Sequence, residues 1–447
     1  MSNNSMDFTT GSITKALFKF SLPFFLTNLI QSFYNIVDIM VISRFCGKEG
    51  VAGVSIGGNV TMTVTFIIIG LCSGGAIMTS QYVGMHREED VKETIGTTFG
   101  VMLILSVLST FFTLVFADNI LSVLNTPTEA FTETRSYFSI CMIGSIFIFG
   151  YNSTCSILQG LGDSRTPMYF GVVSCLLNII LDVIFVGMLK LNSAGAAIAT
   201  VLSQSFSAIG CIVYLKINNF IFDFKPKSFR IYPDKAINIL KLGLPGAFQS
   251  AVVSGGFLIV SSITNSIGVS AASGVATAAK VNNFAQMPAS AIGTSVSSMV
   301  GQNVGAEKYE RASLTMKTGI LISLIIGVAM FTIVQLFPTQ LMGFIVNDTD
   351  IIQTALPYLR VTAFDYLLVA LIFPLNGLCN GSGHTMFTMI PSICSSVIAR
   401  VPVAYFCTRT LGLGLAGVGI STPTGTISAI IICTAYYLSG KWKRKTI

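Results

Sequence analysis

Residues 168–188 read MYFGVVSCLLNIILDVIFVGM, an apolar run broken by a single charge, Asp182. The run is long enough to cross a bilayer as a helix. An ionised carboxylate within it is expensive, from roughly 2.5 kcal/mol to well above 10 kcal/mol depending on the method of measurement. Glycine, serine or leucine would be cheaper, so the acid calls for a reason.

The rest of the chain has the same character. Of 447 residues, 52% are hydrophobic and 10% are charged, against roughly 25% charged in soluble domains. Mean hydropathy is +0.75. That is too little polar sequence to cover a soluble protein of this size. Residues 1–14 are polar and the first apolar run is long enough to be a true span, so no cleavable signal peptide is expected. The ten cysteines lie in or beside apolar runs without paired spacing, and read as small core residues.

Loops, prolines and polar clusters divide the sequence into twelve apolar segments, near 17–43, 51–80, 94–117, 131–156, 167–188, 194–215, 238–267, 273–302, 313–337, 352–379, 387–408 and 413–438. Inside a bilayer these must be helices, because backbone polar groups find no water there. Alternate loops differ in charge. One set, including HREEDVK (86–92), the connector at 216–241, EKYER (307–311) and the tail KWKRK (441–445), holds 18 of the 26 Lys and Arg. The positive-inside rule places that set, with both termini, in the cytoplasm. The basic tail suits an anionic inner leaflet.

An internal repeat organises the twelve segments. SQYVGMHREE (80–89) matches VGQNVGAEKYE (300–310), and QGLGDSRTPM (159–168) matches NGSGHTMFTM (380–389). Pro23 falls on Pro245, Tyr137 on Tyr358, and GAAIAT (195–200) on GVGIST (417–422), always 221 or 222 residues apart. Six segments per repeat keep both halves in the same orientation, as in transporters with parallel repeats. The expected architecture is an all-α integral membrane protein of twelve transmembrane helices. Residues 1–215 form one six-helix bundle, 216–237 a cytoplasmic connector and 238–447 a second bundle, around a central cleft. A channel would show a pore loop or a charged ring; neither is present.

The potential charges within the spans are Asp38, Asp182, Asp365, Lys280, Arg360 and Arg400. Asn178 precedes Asp182 by four residues, so both lie on one helix face. Thr200 and Tyr137 could add hydroxyls, and Pro23, about four turns before Asp38, can kink the first helix. Aligned on the repeat, Asp182 falls on Val403, Asn178 on Ala399 and Asp38 on Ile259 or Val260. The second half keeps the scaffold without the acids, so the first half is expected to host a specialised proton or cation site. A proton would be carried by a desolvated carboxylate; Na+ would take Asp38, Asn178, Asp182 and Thr200 as hard oxygen ligands.

These stretches, together with VDIMVISRFCG (37–47), resemble the MATE family (multidrug and toxic compound extrusion) over essentially the whole chain. No single motif is strong; their order, spacing and duplication carry the likeness. The resemblance implies a V-shaped pair of bundles that exports organic cations or amphipathic compounds in exchange for H+ or Na+. Its DinF-like branch implies a network of Asp38, Tyr137, Asn178, Asp182 and Thr200, with Pro23 at the bend of the first helix. Another branch places carboxylates in the second bundle; there this chain offers neutral Gln249, and Asp365 in a context that does not align. Lys280 and Arg400 are left to pair with Asp365, gate the cleft or meet cargo. The alternative function is a lipid-linked precursor flippase of the same superfamily, which would show a more cationic cleft. No Walker A loop, HExxH or Ser-His arrangement points to an enzyme. No cofactor beyond the coupling ion and no nucleic-acid partner are expected, and the chain is expected to act as a monomer in the cell membrane.

Overall fold

The computed structural model describes residues 5–124, 126–444 and 446; within the basic tail, Lys445 lies outside the described residues. Among the described residues the regular structure is helical throughout, and the chain divides into two compact units. The first comprises Met1–Met6 and Leu26–Ala247, the second Asp7–Phe25 and Phe248–Ile447.

In chain order the first unit receives most of α1 (Ile13–Phe45), then α2 (Lys48–Gly84), α3 (Glu88–Val115) and the short α4 (Ala117–Val123). It continues with α5 (Thr128–Ile143), α6 (Ser145–Gly160), α7 (Arg165–Asp182) and α8 (Asn192–Ile217), and ends within α9 (Pro233–Asn265). The second unit adds α10 (Val269–Gly305), α11 (Tyr309–Leu336), α12 (Pro338–Gly343), α13 (Thr349–Thr362), α14 (Asp365–Gly381), α15 (Thr385–Ile393), α16 (Val401–Tyr405) and α17 (Gly414–Leu438). Runs of π-helix extend α7 (Val183–Met188) and flank α16 (Cys394–Arg400 and Phe406–Thr410).

Nine of these helical stretches are long and apolar enough to cross a membrane among the described residues. Two bent pairs, α5 with α6 at 51° and α13 with α14 at 45°, pass the same test together and bring the number to eleven if each is one span. The twelfth expected segment, α10, has the length but not the hydropathy. Its Ala, Gly, Ser, Asn and Gln residues pack against α11, α13 and α14 rather than displaying long aliphatic chains. Elsewhere the outward faces are lipid-like: on α3, Leu103, Ile104, Val107, Leu108 and Phe111 are all exposed.

Small residues set the distances inside each unit. A Cβ on Gly160 of α6 would stand 2.5 Å from the Ala76 carbonyl oxygen of α2. At the repeat-related place in the second unit, a Cβ on Gly381 would stand 2.3 Å from the Ser297 carbonyl oxygen. The same close helix crossing is thus built twice from one pattern, as membrane helices without a hydrophobic driving force require.

The unit boundaries differ from the sequence expectation of 1–215, 216–237 and 238–447, and local packing explains the difference. The connector is not a free tether. Phe222, Phe224 and Phe229 surround Phe99 of α3, and the Tyr232 N–H donates to Thr97 Oγ1 at 3.2 Å. Lys235, buried at the start of α9, donates to Tyr82 Oη at 2.8 Å and pairs with Asp90, which also meets Arg87 at 2.6 Å. The start of α9 then lies directly on α2, where a Cβ on Gly74 would stand 2.2 Å from the Ile239 carbonyl. The boundary therefore moves into α9. An analogous anchor assigns residues 7–25 to the second unit. Gln302 Oε1 accepts from the Phe8 N–H at 3.0 Å, and Arg311 and Asn303 donate to the Phe8 carbonyl at 2.9 and 3.2 Å.

Candidate functional site

Every residue of the expected coupling network lies in the first unit: Asp38 on α1, Tyr137 on α5, Asn178 and Asp182 on α7, and Thr200 on α8. Four of the five converge closely. Asp182 is fully buried and Asn178 is 2% exposed. The Asp38 and Asp182 carboxyls face each other within hydrogen-bond reach. Carboxylate oxygens only accept, so such a bond forms only with a proton between them.

Asn178 organises the site. Its amide is oriented by the donors and acceptors around it. The nitrogen donates to Asp182 Oδ2 and to Tyr34 Oη, both at 3.0 Å, and the oxygen accepts from the Thr200 N–H at 3.1 Å. The i, i+4 spacing places Asn178 beside Asp182 as the sequence indicates. Thr200 takes part through its backbone towards Asn178 and through its side chain towards Tyr34.

Tyr34 is the member that the sequence reading missed. It precedes Asp38 by four residues, and that spacing was the available signal. Tyr137 stands slightly apart. It is buried, bonds with Cys141 and lies within electrostatic range of Tyr34 and Asp38. Its ring occupies the place a Cβ on Gly57 would take, 2.8 Å from Cδ1, so a glycine on α2 admits it. Tyr137 is itself part of a buried apolar core with Val54, Phe138, Cys141 and Val186.

A cavity of about 160 Å³ opens against this network. Tyr34, Asn178 and Thr200 line it together with Gln31, Asn35 and Gln204. Among the described residues, Gln204 Oε1 is buried without a hydrogen-bond partner. The lining offers amides and hydroxyls, with the acid pair beside it; it is suited to water and a small cation. The fold creates this chamber by bringing α1, α6, α7 and α8 together.

The remaining candidates lie in the second unit or at its edge. Pro23 sits inside α1, in the portion that belongs to that unit, and the helix continues through it from Ile13 to Phe45. Asp365 is 3% exposed at the start of α14, bonded to the Thr426 side chain and within the field of Arg400. Arg400 Nη2 donates to Thr422 Oγ1 at 2.9 Å. Lys280 is exposed on α10 and Gln249 half-buried on α9; neither joins the Asp365 or Arg400 bonds. Arg400 lies within electrostatic range of Asp365, but among the described residues the two form no ion pair.

Known proteins resemble the chain over its full length. "Probable multidrug resistance protein YpnP" of Bacillus subtilis is 28% identical over 443 residues, covering 98% of this chain and 97% of the relative. "Probable multidrug resistance protein NorM" of Thermotoga maritima is 26% identical over 441 residues, covering 97% and 94%. The fold is shared with a solved structure described as the outward-facing conformation of a multidrug resistance MATE family transporter of the MOP superfamily. That match has a TM-score of 0.92 at 23% identity and covers all of both chains. The MatE family profile matches residues 23–184 and again 245–406, once in each repeat, and by this double match the chain belongs to the MatE family.

Proposed function

We propose that this protein is a secondary-active multidrug efflux transporter, exporting organic cations or amphipathic compounds in exchange for H+ or Na+ entering the cell. The observation that carries the coupling is the pair of the buried Asp182 and the half-buried Asp38, with Asn178 bonding Asp182 and lining a polar cavity. Its relatives' names, as multidrug resistance proteins, support drug export, and the loop charges support a cell-membrane protein with cytoplasmic termini.

The chemistry follows from the pair. With one shared proton the carboxyls attract and tie α1 to α7. When that proton leaves, two like charges face each other in a low-dielectric site and repel strongly. Sodium between the same oxygens would restore the attraction. Either ion biases a two-state arrangement of α1 relative to α7, and a ligand shifts such an equilibrium only by its differential affinity for the two states. The cavity of about 160 Å³ is smaller than the ≈ 300–1,000 Å³ usual for drug-sized ligands. This chamber is therefore sized for an ion and water, and drug-sized cargo would need a wider space.

Expression in a drug-sensitive host tests the reading. Wild-type protein should lower ethidium accumulation, and Asp182→Asn at equal membrane abundance should abolish that effect. An Asp182→Asn variant that exports every tested substrate at the wild-type rate would remove the basis for the proposal.

A further inference from the structure

The two repeats do not keep one offset. Residues 159–168 match 380–389 at 221, whereas 195–200 match 417–422 at 222. One residue is therefore inserted between, in the helix that carries Asn178 and Asp182 in the first unit. The helix geometry shows where. In the first unit α7 stays α-helical through Asp182 and becomes π-helical only at Val183–Met188. That π segment corresponds, within a residue, to Phe406–Thr410 in the second unit. The other π segment, Cys394–Arg400, has no counterpart. A π-bulge is the usual way for an α-helix to take in one residue. The two family matches, 23–184 and 245–406, are likewise offset by 222 at both ends.

The register beyond the bulge is corrected accordingly. Asp182 corresponds to Ala404 rather than Val403, and Asn178 to Arg400 rather than Ala399. Asp38 corresponds to Val260, and Thr200 to Thr422. Val260 and Ala404 are buried in one apolar cluster, so the acid pair has become hydrocarbon. The polar half of the site persists with a changed sign. Arg400 donates to Thr422 at 2.9 Å across the positions that Asn178 and Thr200 bridge at 3.1 Å.

A guanidinium thus lies where the first unit would bring a mobile cation. It lies within the field of the buried Asp365 without forming an ion pair among the described residues: Arg400 sits against Thr422 and Gly425 of α17, Asp365 against Thr426 of the same helix, and the other titratable neighbours of Asp365 are Tyr358 and Tyr366. Tyr358 is the repeat partner of Tyr137, while Asp365 has only glycine, Gly144, at its counterpart. Among the described residues, Asp365 Oδ1 and Arg400 Nε are both buried without a hydrogen-bond partner.

We infer that Arg400 is a tethered counter-cation for Asp365, built into the chain at the position of the coupling site, so that the second unit exchanges neither H+ nor Na+ during transport. The confinement of coupling to the first unit rests on the function proposed above; the pairing of Arg400 with Asp365 does not. Removing the tethered charge should turn Asp365 into a site for a mobile cation.

The experiment compares purified wild-type, Arg400→Gln, Arg400→Lys, Asp365→Asn and Arg400→Gln/Asp365→Asn proteins by ²²Na+ binding and by the infrared carbonyl band of protonated carboxylic acids. Arg400→Gln should gain, relative to wild type, either one bound Na+ or one protonated carboxyl per chain. The gain should vanish in the double variant and be absent in Arg400→Lys. No gain in Arg400→Gln, or loss of the wild-type cation on Asp365→Asn alone, would overturn the inference. Should Arg400→Gln be too unstable to purify, melting temperature in membranes still decides. The double variant should be more stable than Arg400→Gln, because it leaves no lone buried charge; additive destabilisation would refute the pairing. Asp182→Asn run alongside reads the first-unit proposal separately, since the Arg400 comparison reports on Asp365 whatever Asp182 does.

Discussion

Asp182 is held through Asn178, so the character of the acid depends on a neutral neighbour. Removing the Asn178 amide by Asn178→Leu leaves Asp182 Oδ2, Tyr34 Oη and the Thr200 N–H without that partner. An unsatisfied buried polar group costs about 1–3 kcal/mol, so coupled transport should fall at least about tenfold in rate assays on proteoliposomes. Tyr34→Phe removes one hydroxyl and a neutral hydrogen bond is worth about 0.5–1.5 kcal/mol. It should retain transport and shift its pH optimum. A Tyr34→Phe profile superimposable on wild type would exclude Tyr34 from the network. The Asn178–Asp182 half of the site was legible in sequence because both residues sit on one helix one turn apart. Tyr34 was not, because a tyrosine in an apolar helix reads equally as packing or as a lipid contact, and only the fold shows which residues it meets on α7 and α8.

At the scale of elements, the connector behaves as part of the first unit. Lys235→Met would leave Asp90 with Arg87 as its remaining partner. Breaking a fully buried pair costs about 3–5 kcal/mol; the exposed Arg87, still paired with Asp90, makes the expected loss smaller, seen as a lower melting temperature and faster proteolysis between 216 and 232. Unchanged proteolysis would contradict the anchored connector. Within that loop, Asp223 accepts from Ser228 Oγ at 2.5 Å and from the Lys225 N–H at 3.2 Å. These bonds, the serine foremost, lower its carboxyl from 3.8 to about 2. A lowered folded-state value means that the contribution is complete above the ordinary carboxylate range and is lost as pH falls from 3.8 towards about 2. Pepsin cleavage of the 223–230 loop should therefore rise over that interval in the wild type, while Asp223→Asn shows no such rise. A repeat offset of 221 or 222 was visible in the sequence, but the position of the extra residue was not. A π-bulge leaves no compositional trace, and without it Asp182 was aligned one residue short of Ala404.

Over the whole molecule, hydropathy and repetition carried most of the architecture. Among the described residues nine of the twelve expected segments reappear as apolar spans, eleven if each bent pair is one span, and α10 departs because small polar residues pack it among its neighbours. The division into units was less legible, since α1 and α9 each contribute to both and the decisive contacts are glycine crossings and the anchors at Lys235 and Phe8. Those crossings are sensitive: Gly160→Val would drive a side chain into the Ala76 carbonyl. Overpacking costs about 1–3 kcal/mol, so the yield of monodisperse protein on size-exclusion chromatography should drop, and Gly381→Val should do the same in the second repeat.

The central claim is that the Asp38–Asp182 pair couples ion entry to export, and proteoliposomes carrying an imposed proton or sodium gradient test it most directly. Wild-type protein should concentrate ethidium against its own gradient with at least one of the two ions, whereas Asp38→Asn/Asp182→Asn should only let it equilibrate. Undiminished concentrative transport by that double variant would contradict the account.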